Sequence, residues 1–274
     1  MTDQSELQLN PKSQVVEHGY INIYSYLSQQ ERRQIFFNTE YKKNNPNWDN
    51  TMVLLCKEFQ TILQEIKKPG TYELRVLDAG CGNGNYVIDE YRKEISWATG
   101  IDKDKISTRN NICLDEIIHG DLASLPFADD SFDVVLSFWV LEHIENPQAV
   151  FKEINRVLKK DGFFIFATPN KHSALLVLKR LLRKGLVNFI NEKLYGRAEV
   201  DIFPAYYKAN SVSDLTELLD KAGFAQSKVE LNYDPGYTSF GKFTFFISNI
   251  LDKIFERINP EYYKHHIVGV ARKK

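Results

Sequence analysis

The sequence predicts an α/β fold with a mostly parallel sheet. From Leu74 onward, short apolar runs alternate with segments of helical spacing, and one of those runs ends in a cluster of glycines at alternate positions. The length of 274 residues suits one large domain, or a domain plus an elaboration. Alternation at this spacing means βαβ units, and open sheets of that kind bind ligands beyond the carboxyl ends of their strands.

The first 70 residues are polar and helical in pattern. Val15 to Phe37 and Met52 to Lys67 carry apolar residues at mixed spacings of three and four, separated by the turn cluster Asn44-Asn45-Pro46-Asn47-Trp48 and closed by Pro69-Gly70. This stretch is expected to form an N-terminal helical cap over 1–70, with the α/β domain over 71–274. Arg75-Val76-Leu77 reads as a buried strand, Tyr86 to Glu94 as a helix, and Trp97 to Ile101 and Phe132 to Ser137 as strands. Pro147 to Leu158 is an amphipathic helix ending at Asp161-Gly162, and Phe163 to Ala167 is a further strand. Residues 170–210 are less regular, and a lid insertion is expected there. Ser211 to Ala222 resumes as a helix, with Ser211 as its N-cap and Gly223 just past its end. Strands return at Gln226 to Leu231 and Ile267 to Arg272.

Composition narrows the function classes. Lys+Arg 35 against Asp+Glu 36 leaves a net charge of −1, without the basic excess of a general nucleic-acid binder. Cys56, Cys81 and Cys113 are far apart and form no CxxC pair, so spacing encodes neither a disulfide framework nor a zinc site, and a reducing cytosol fits best. Met1 to Lys12 has no apolar h-region and no run of 18 apolar residues occurs, so a cytoplasmic protein without a visible secretion signal or membrane span is expected. The oddity is aromatic: 18 Phe, 14 Tyr and 3 Trp make 13% of the chain. They gather in the first 50 residues, in Phe189 to Tyr207 and in Tyr233 to Tyr263. That distribution predicts a lid and pocket for an apolar substrate, with ordinary core packing as the competing reading.

The chemistry lies in Val76-Leu77-Asp78-Ala79-Gly80-Cys81-Gly82-Asn83-Gly84, a strand running into a glycine loop and then a helix. Alternate glycines let the backbone turn sharply out of the sheet and let a ligand approach bare main chain. A dinucleotide site needs G-x-G-x-x-G, but here the third glycine arrives one residue early and Asn85 stands where that fingerprint needs Gly. Asp78 would repel a pyrophosphate while suiting a cationic amino group, such as that of S-adenosylmethionine. Cys81 reads as a small filler in the loop.

These residues resemble class I S-adenosylmethionine-dependent methyltransferases, particularly the small-molecule group that includes ubiquinone and menaquinone biosynthesis enzymes. The likeness is close from Leu74 to Asn170. It also rests on Gly100-Ile101-Asp102-Lys103-Asp104, on Gly120-Asp121-Leu122 with Leu125-Pro126-Phe127, on Ser131-Phe132-Asp133-Val134-Val135, on Leu141-Glu142-His143-Ile144 and on Leu158-Lys159-Lys160-Asp161-Gly162-Phe163. The resemblance implies a Rossmann-like, seven-stranded, mostly parallel sheet with helices on both faces, and S-adenosyl-L-methionine as methyl donor. It implies cofactor contacts at Asp78, Gly80, Gly82, Asn83, Asp102, Lys103, Asp121, Leu122 and Phe138. Asp102, about 20 residues past the glycine loop, can accept both ribose hydroxyls. Asp121 and Leu122 would take the adenine edge and face, or Asp121 makes only an Asx turn. Phe138 would set its backbone against the methionine moiety.

Methyl transfer from a sulfonium needs alignment and exclusion of water more than a base. His143 is the candidate base if one is used, or else an organiser of its loop. Tyr206 and Tyr207 fall in the expected lid and would orient an acceptor hydroxyl, or pack the lid on the core. No metal centre is expected: His265 and His266 are adjacent on a strand and point to opposite faces, and no paired-carboxylate cluster follows the fourth strand. From Lys171 to Arg197 seven Lys or Arg face one acid, Glu192, a pattern that suits an anionic membrane surface or a solvated lid face. The expected activity is methyl transfer to a small, apolar or aromatic acceptor at O, N or C. The alternatives are a non-catalytic scaffolding module, which would not need an intact glycine loop and Asp102, and a nicotinamide oxidoreductase, disfavoured by Asn85.

Overall fold

The structure, a computed structural model, describes residues 29–66, 73–181 and 204–274. The first part of the helical pattern expected from Val15, the Pro69-Gly70 turn, the basic segment beyond residue 181 and the aromatics from Phe189 to Phe203 lie outside the described residues.

In chain order the elements are α1 (Gln29–Asn44), α2 (Thr51–Ile66), β1 (Arg75–Ala79), α3 (Tyr86–Glu90), β2 (Trp97–Asp102), β3 (Glu116–His119), β4 (Phe132–Phe138), α4 (Pro147–Val157), β5 (Leu158–Pro169), α5 (Ala174–Leu181), α6 (Val212–Ala222), β6 (Phe224–Asn232), α7 (Lys242–Ile258) and β7 (His266–Lys273). Among the described residues seven strands form one sheet in the order β3-β2-β1-β4-β5-β7-β6. All neighbouring pairs are parallel except those made by β7, which runs antiparallel to β5 and β6.

The chain groups into two compact units. One comprises Asp49–Leu181, Phe203–Tyr233 and Phe255–Lys274; the other, within the described residues, comprises 29–48 and 234–254. This division departs from the expected boundary at residue 70. The apolar stripe of α2 (Leu55, Phe59, Ile62, Leu63) packs with Val76, Val134, Leu136 and Ile165 on one face of the sheet, so α2 belongs to the α/β unit. Strand side chains alternate between faces, and Leu77, Val135, Phe164 and Phe166 pack on the other face with α4 and α6. In the other unit Phe37 of α1 stacks on Phe245 with centroids 5.1 Å apart, and Gly236 N donates to Asn38 Oδ1 at 3.0 Å.

Capping explains where helices begin and end. Asn146 accepts from Ala149 N at the start of α4, with Pro147 as its first residue. Ser211 accepts from Asp214 N at the start of α6, and Gly223 ends it at φ 91°, as expected. Other expectations shift. The helix expected over Tyr86 to Glu94 is α3 followed by a 3₁₀ turn, Arg92–Glu94, which tightens the path into β2. Asp161-Gly162 is a kink inside β5 instead of a turn before it. Asp161 has φ 64°, and a Cβ on Gly162 would lie 2.9 Å from the carbonyl oxygen of Asp133. β3 has no counterpart among the expected strands, being a four-residue edge strand whose Ile117 and Ile118 are only half-buried.

The aromatic surplus divides. Phe151, Phe164, Phe166 and Phe224 pack on one another in the core, so part of the surplus is core packing.

Candidate active site

The glycine loop leaves β1 in a left-handed path. Gly80, Gly82 and Gly84 have φ of 86°, 41° and 145°, values that L side chains rarely adopt. The amides of Gly80 and Cys81 both donate to Ile101 O of β2, at 2.8 and 3.2 Å. A Cβ on Gly80 would lie 2.3 Å from Val140 Cγ2, whereas at Gly82 and Gly84 it would meet nothing within 4 Å among the described residues. The loop is thus packed against protein at its root and open along its next turn. Asn83 is exposed beside that open turn. Asn111 was not singled out in the sequence, yet its Nδ2 donates to the carbonyls of Cys81 and Gly82 at 3.2 and 3.1 Å. Nothing in its sequence neighbourhood signals that role. Cys81 is buried against Gly100, where a Cβ would come within 2.7 Å of its Sγ, and burial pushes its thiol well above the usual range, which fits a filler.

Asn85, read in the sequence only as a missing glycine, has two tasks. Its Oδ1 caps α3 by accepting from Val87 N and Ile88 N, and its Nδ2 donates to Asp78 Oδ1 at 2.9 Å. Asp78 is 2% exposed, and its Oδ2 has no hydrogen-bond partner among the described residues. Burial pushes its carboxyl up to about 7 against the opposing Asn85 bond, helped by the charges of Asp102 and Asp89. Asn85→Ala removes a helix cap and the side chain that, among the described residues, partners a buried carboxyl. It is expected to lower stability by about 2 kcal/mol, read as a shift of the urea midpoint; an unchanged midpoint would refute the dual role.

Asp102 ends β2 with both oxygens held, Oδ2 accepting from Gly82 N at 2.9 Å and Oδ1 from Asp104 N at 2.8 Å. The carboxylate is therefore tied to the glycine loop and aimed by it. Lys103 Nζ pairs with Asp121 Oδ2 at 2.9 Å, both side chains exposed. Asp121 Oδ1 also accepts from Ala123 N at 2.9 Å, the Asx turn, and these bonds hold its carboxyl below the usual range. The Leu122 side chain is 5% exposed and packs in the core, so the apolar face expected there for adenine is turned inward. Phe138 closes β4 and packs against the core of the α2 face.

Past β4, Trp139 takes φ 62° and Val140 fills the space under Gly80. The turn Leu141–His143 follows. His143 Nδ1 lies 2.7 Å from Pro204 O, and Tyr206 N and Tyr207 N donate to Glu142 O at 2.8 and 3.2 Å. Glu142 itself is buried; its Oε2 accepts from Thr168 Oγ1 at 3.2 Å, and that hydroxyl accepts from Asn210 Nδ2 at 2.6 Å. The expected catalytic residues His143, Tyr206 and Tyr207 are thus brought together, with Glu142 as a joining residue that sequence reasoning missed. A carbonyl only accepts, so Nδ1 of His143 carries the proton and neutral His143 has its lone pair on Nε2. His265 is buried between Tyr233 and Tyr263, at 5.5 and 5.6 Å, with neither ring nitrogen partnered among the described residues, and burial pushes it down to about 4. Among the described residues no group of three or more His, Cys, Asp or Glu is placed to hold a metal ion.

A glycine loop open to a ligand, a carboxylate fixed at the end of β2 and a 3-2-1-4-5-7-6 sheet define a class of α/β cofactor-binding domain. Residues 77–166 match the methyltransferase domain family. A probable S-adenosylmethionine-dependent methyltransferase of Mycolicibacterium smegmatis is 33% identical over 155 residues, which is 54% of this chain and 51% of that protein. A demethylmenaquinone methyltransferase of Staphylococcus aureus is 27% identical over 171 residues, 57% of this chain and 69% of that one. The fold is similar to a solved SAM-dependent methyltransferase from Archaeoglobus fulgidus, at TM-score 0.53 and 16% identity, covering 85% of this chain and 99% of that one. The chain thus spans about half the length of the first of these relatives. Residues 77–166 thus carry a methyltransferase domain, and over about half of its length the chain is similar to S-adenosylmethionine-dependent methyltransferases.

Proposed function

We propose that this chain transfers a methyl group from S-adenosylmethionine to a small, apolar or aromatic acceptor. The observation that carries the reading is the bond from Gly82 N to Asp102 Oδ2, which couples an open, left-handed glycine turn to a carboxylate at the end of the next strand. S-adenosylmethionine, when bound, supplies a methyl on a sulfonium, already a good leaving group. The chain's own residues bind and orient. Asp102 accepts the ribose hydroxyls, and the bare backbone around Gly82 admits the ligand's close approach. Asp78 Oδ2, without a partner among the described residues, favours a cationic amino group nearby. His143, held through Nδ1 by Pro204, would take a proton through Nε2, which lies 3.9 Å from Glu142 Oε1, from an acceptor that must lose one. Tyr206 and Tyr207, anchored by their amides to Glu142, border the same turn.

A net charge of −1 supports a small-molecule acceptor over nucleic acid, and three free thiols, Cys56, Cys81 and Cys113, support a cytoplasmic setting. No helix among the described residues is long and apolar enough to cross a membrane.

Isothermal titration with S-adenosylmethionine and S-adenosylhomocysteine tests the assignment: absence of binding by the wild type overturns it. The pH dependence tests the role of Asp78. Its carboxyl is protonated below about 7 in the free protein, and a ligand ammonium favours the ionised form. Affinity for S-adenosylhomocysteine is therefore expected to rise by roughly tenfold from pH 6 to pH 8; a flat profile would place Asp78 away from the ammonium.

A further inference from the structure

α7 carries apolar residues on two sides: Phe245 stacks inward on Phe37 and Phe255 on Tyr263, while a second apolar set faces outward. Its inward side includes polar groups: Ser248 lies 2.5 Å from Thr238 Oγ1, and Asp252 Oδ2 accepts from Tyr41 at 2.6 Å. Both residues are buried. Its outward side is apolar. Phe243 is 77% exposed and Phe246 61%, and Ile247, Ile250, Ile254 and Ile258 are exposed with them. Spacings of three and four put these residues on one stripe. Single exposed apolar residues are ordinary, but a continuous stripe marks an interaction surface. Along one flank of the stripe lie the exposed cations Lys253 and Arg257, and the acid between them, Glu256, is paired with Lys264 at 3.3 Å. The flank is therefore net positive.

We propose that this face of α7 docks on an anionic phospholipid surface, with Phe243 and Phe246 entering the boundary between headgroups and acyl chains and Lys253 and Arg257 meeting lipid phosphates. A second copy of the chain fits less well. A helix of this length is about 25 Å long, so a stripe about 10 Å wide presents roughly 250 Å², against about 800 Å² per partner in a stable complex. A bilayer sets no such minimum, because each apolar side chain partitions on its own. The basic sequence segment 171–197 is a separate candidate for the same surface, and in it Lys171 is already paired with Asp214.

Flotation of the full-length protein with vesicles of phosphatidylcholine and phosphatidylglycerol in equal parts, or of phosphatidylcholine alone, tests the proposal. The wild type is expected to float with the anionic vesicles and about tenfold less with the neutral ones. Phe243→Ser with Phe246→Ser is expected to lower the floated fraction at least tenfold, and Lys253→Glu with Arg257→Glu at least threefold, both with unchanged unfolding midpoints. Failure of the wild type to float, or flotation of the double Ser variant like the wild type, overturns the proposal. So does loss of flotation only on Arg180→Ser with Arg183→Ser, which assigns the contact to the basic segment. A stable dimer in analytical ultracentrifugation that the double Ser variant splits also overturns it, in favour of a second copy. S-adenosylhomocysteine titration of the same samples reads the methyltransferase assignment independently.

Discussion

Asp102→Ala is expected to weaken S-adenosylhomocysteine binding by about 100-fold or more. In the proposed function the carboxylate accepts two charge-assisted bonds from a ribose diol, each worth about 1.5–3 kcal/mol, and a combined loss of about 3 kcal/mol corresponds to a factor of roughly 100. Its own geometry adds to this, because Oδ2 accepts from Gly82 N and Oδ1 from Asp104 N. The substitution therefore removes the proposed ligand contact and also one of the bonds holding the glycine turn to β2. Asp102→Asn keeps the shape and one acceptor and is expected to lie between the two. Titration calorimetry decides the matter: an Asp102→Ala dissociation constant within threefold of the wild type would remove Asp102 from the cofactor site.

Gly269→Ala is expected to destabilise the fold by about 3 kcal/mol, at the upper end of overpacking penalties. Gly269 pairs with Phe166 across β7 and β5, and a Cβ there would lie 2.0 Å from Phe166 Cζ and 2.4 Å from Cε2. Neither side can yield cheaply. β7 is hydrogen-bonded on both edges, to β5 and β6, and Phe166 is fully buried between Phe164 and Phe151. At about 2–4 °C per kcal/mol for a chain of this size, the melting midpoint is expected to fall by roughly 6–12 °C. Adding Phe166→Leu removes the clashing ring edge and should restore part of the loss; a melt of Gly269→Ala within 1–2 °C of the wild type, on the same scale, would show that the sheet gives way more easily than its bonding suggests.

Most of the α/β architecture was legible because its signals are local. Val76-Leu77, the Asp78 to Gly84 loop and the capped α6 each carry their determinants within a few residues: an apolar pair, a set of glycines, a serine before and a glycine after. β3 was not legible, since an edge strand with two half-buried isoleucines has too short a pattern to separate from a loop. Asp161-Gly162 carries a turn signature but kinks a strand, because pairing with β4 and β7 outweighs the local preference. The burial of the Leu122 side chain was not legible for a related reason: an apolar residue in a loop fills the core when the core is near.

At the site, the residue types that chemistry demands were visible, and the groups that hold them were not. Gly80, Gly82, Asp78 and Asp102 announce a cofactor loop by identity and spacing. Asn111, Glu142, Thr168 and Asn210 act through bonds to residues 26 to 42 positions away, and no pattern in one sequence records such pairs. The sequence by itself determined the strand and helix alternation, the glycine turn and the acid at the end of the second strand, since these follow from backbone sterics and side-chain period. Only the tertiary structure decided that Asn85 serves Asp78 and that α2 belongs with the sheet. It alone decided that the aromatics divide between a packed core and an exposed face of α7. Burial and partnership depend on which distant segments meet, and that is settled by the packing of the whole chain.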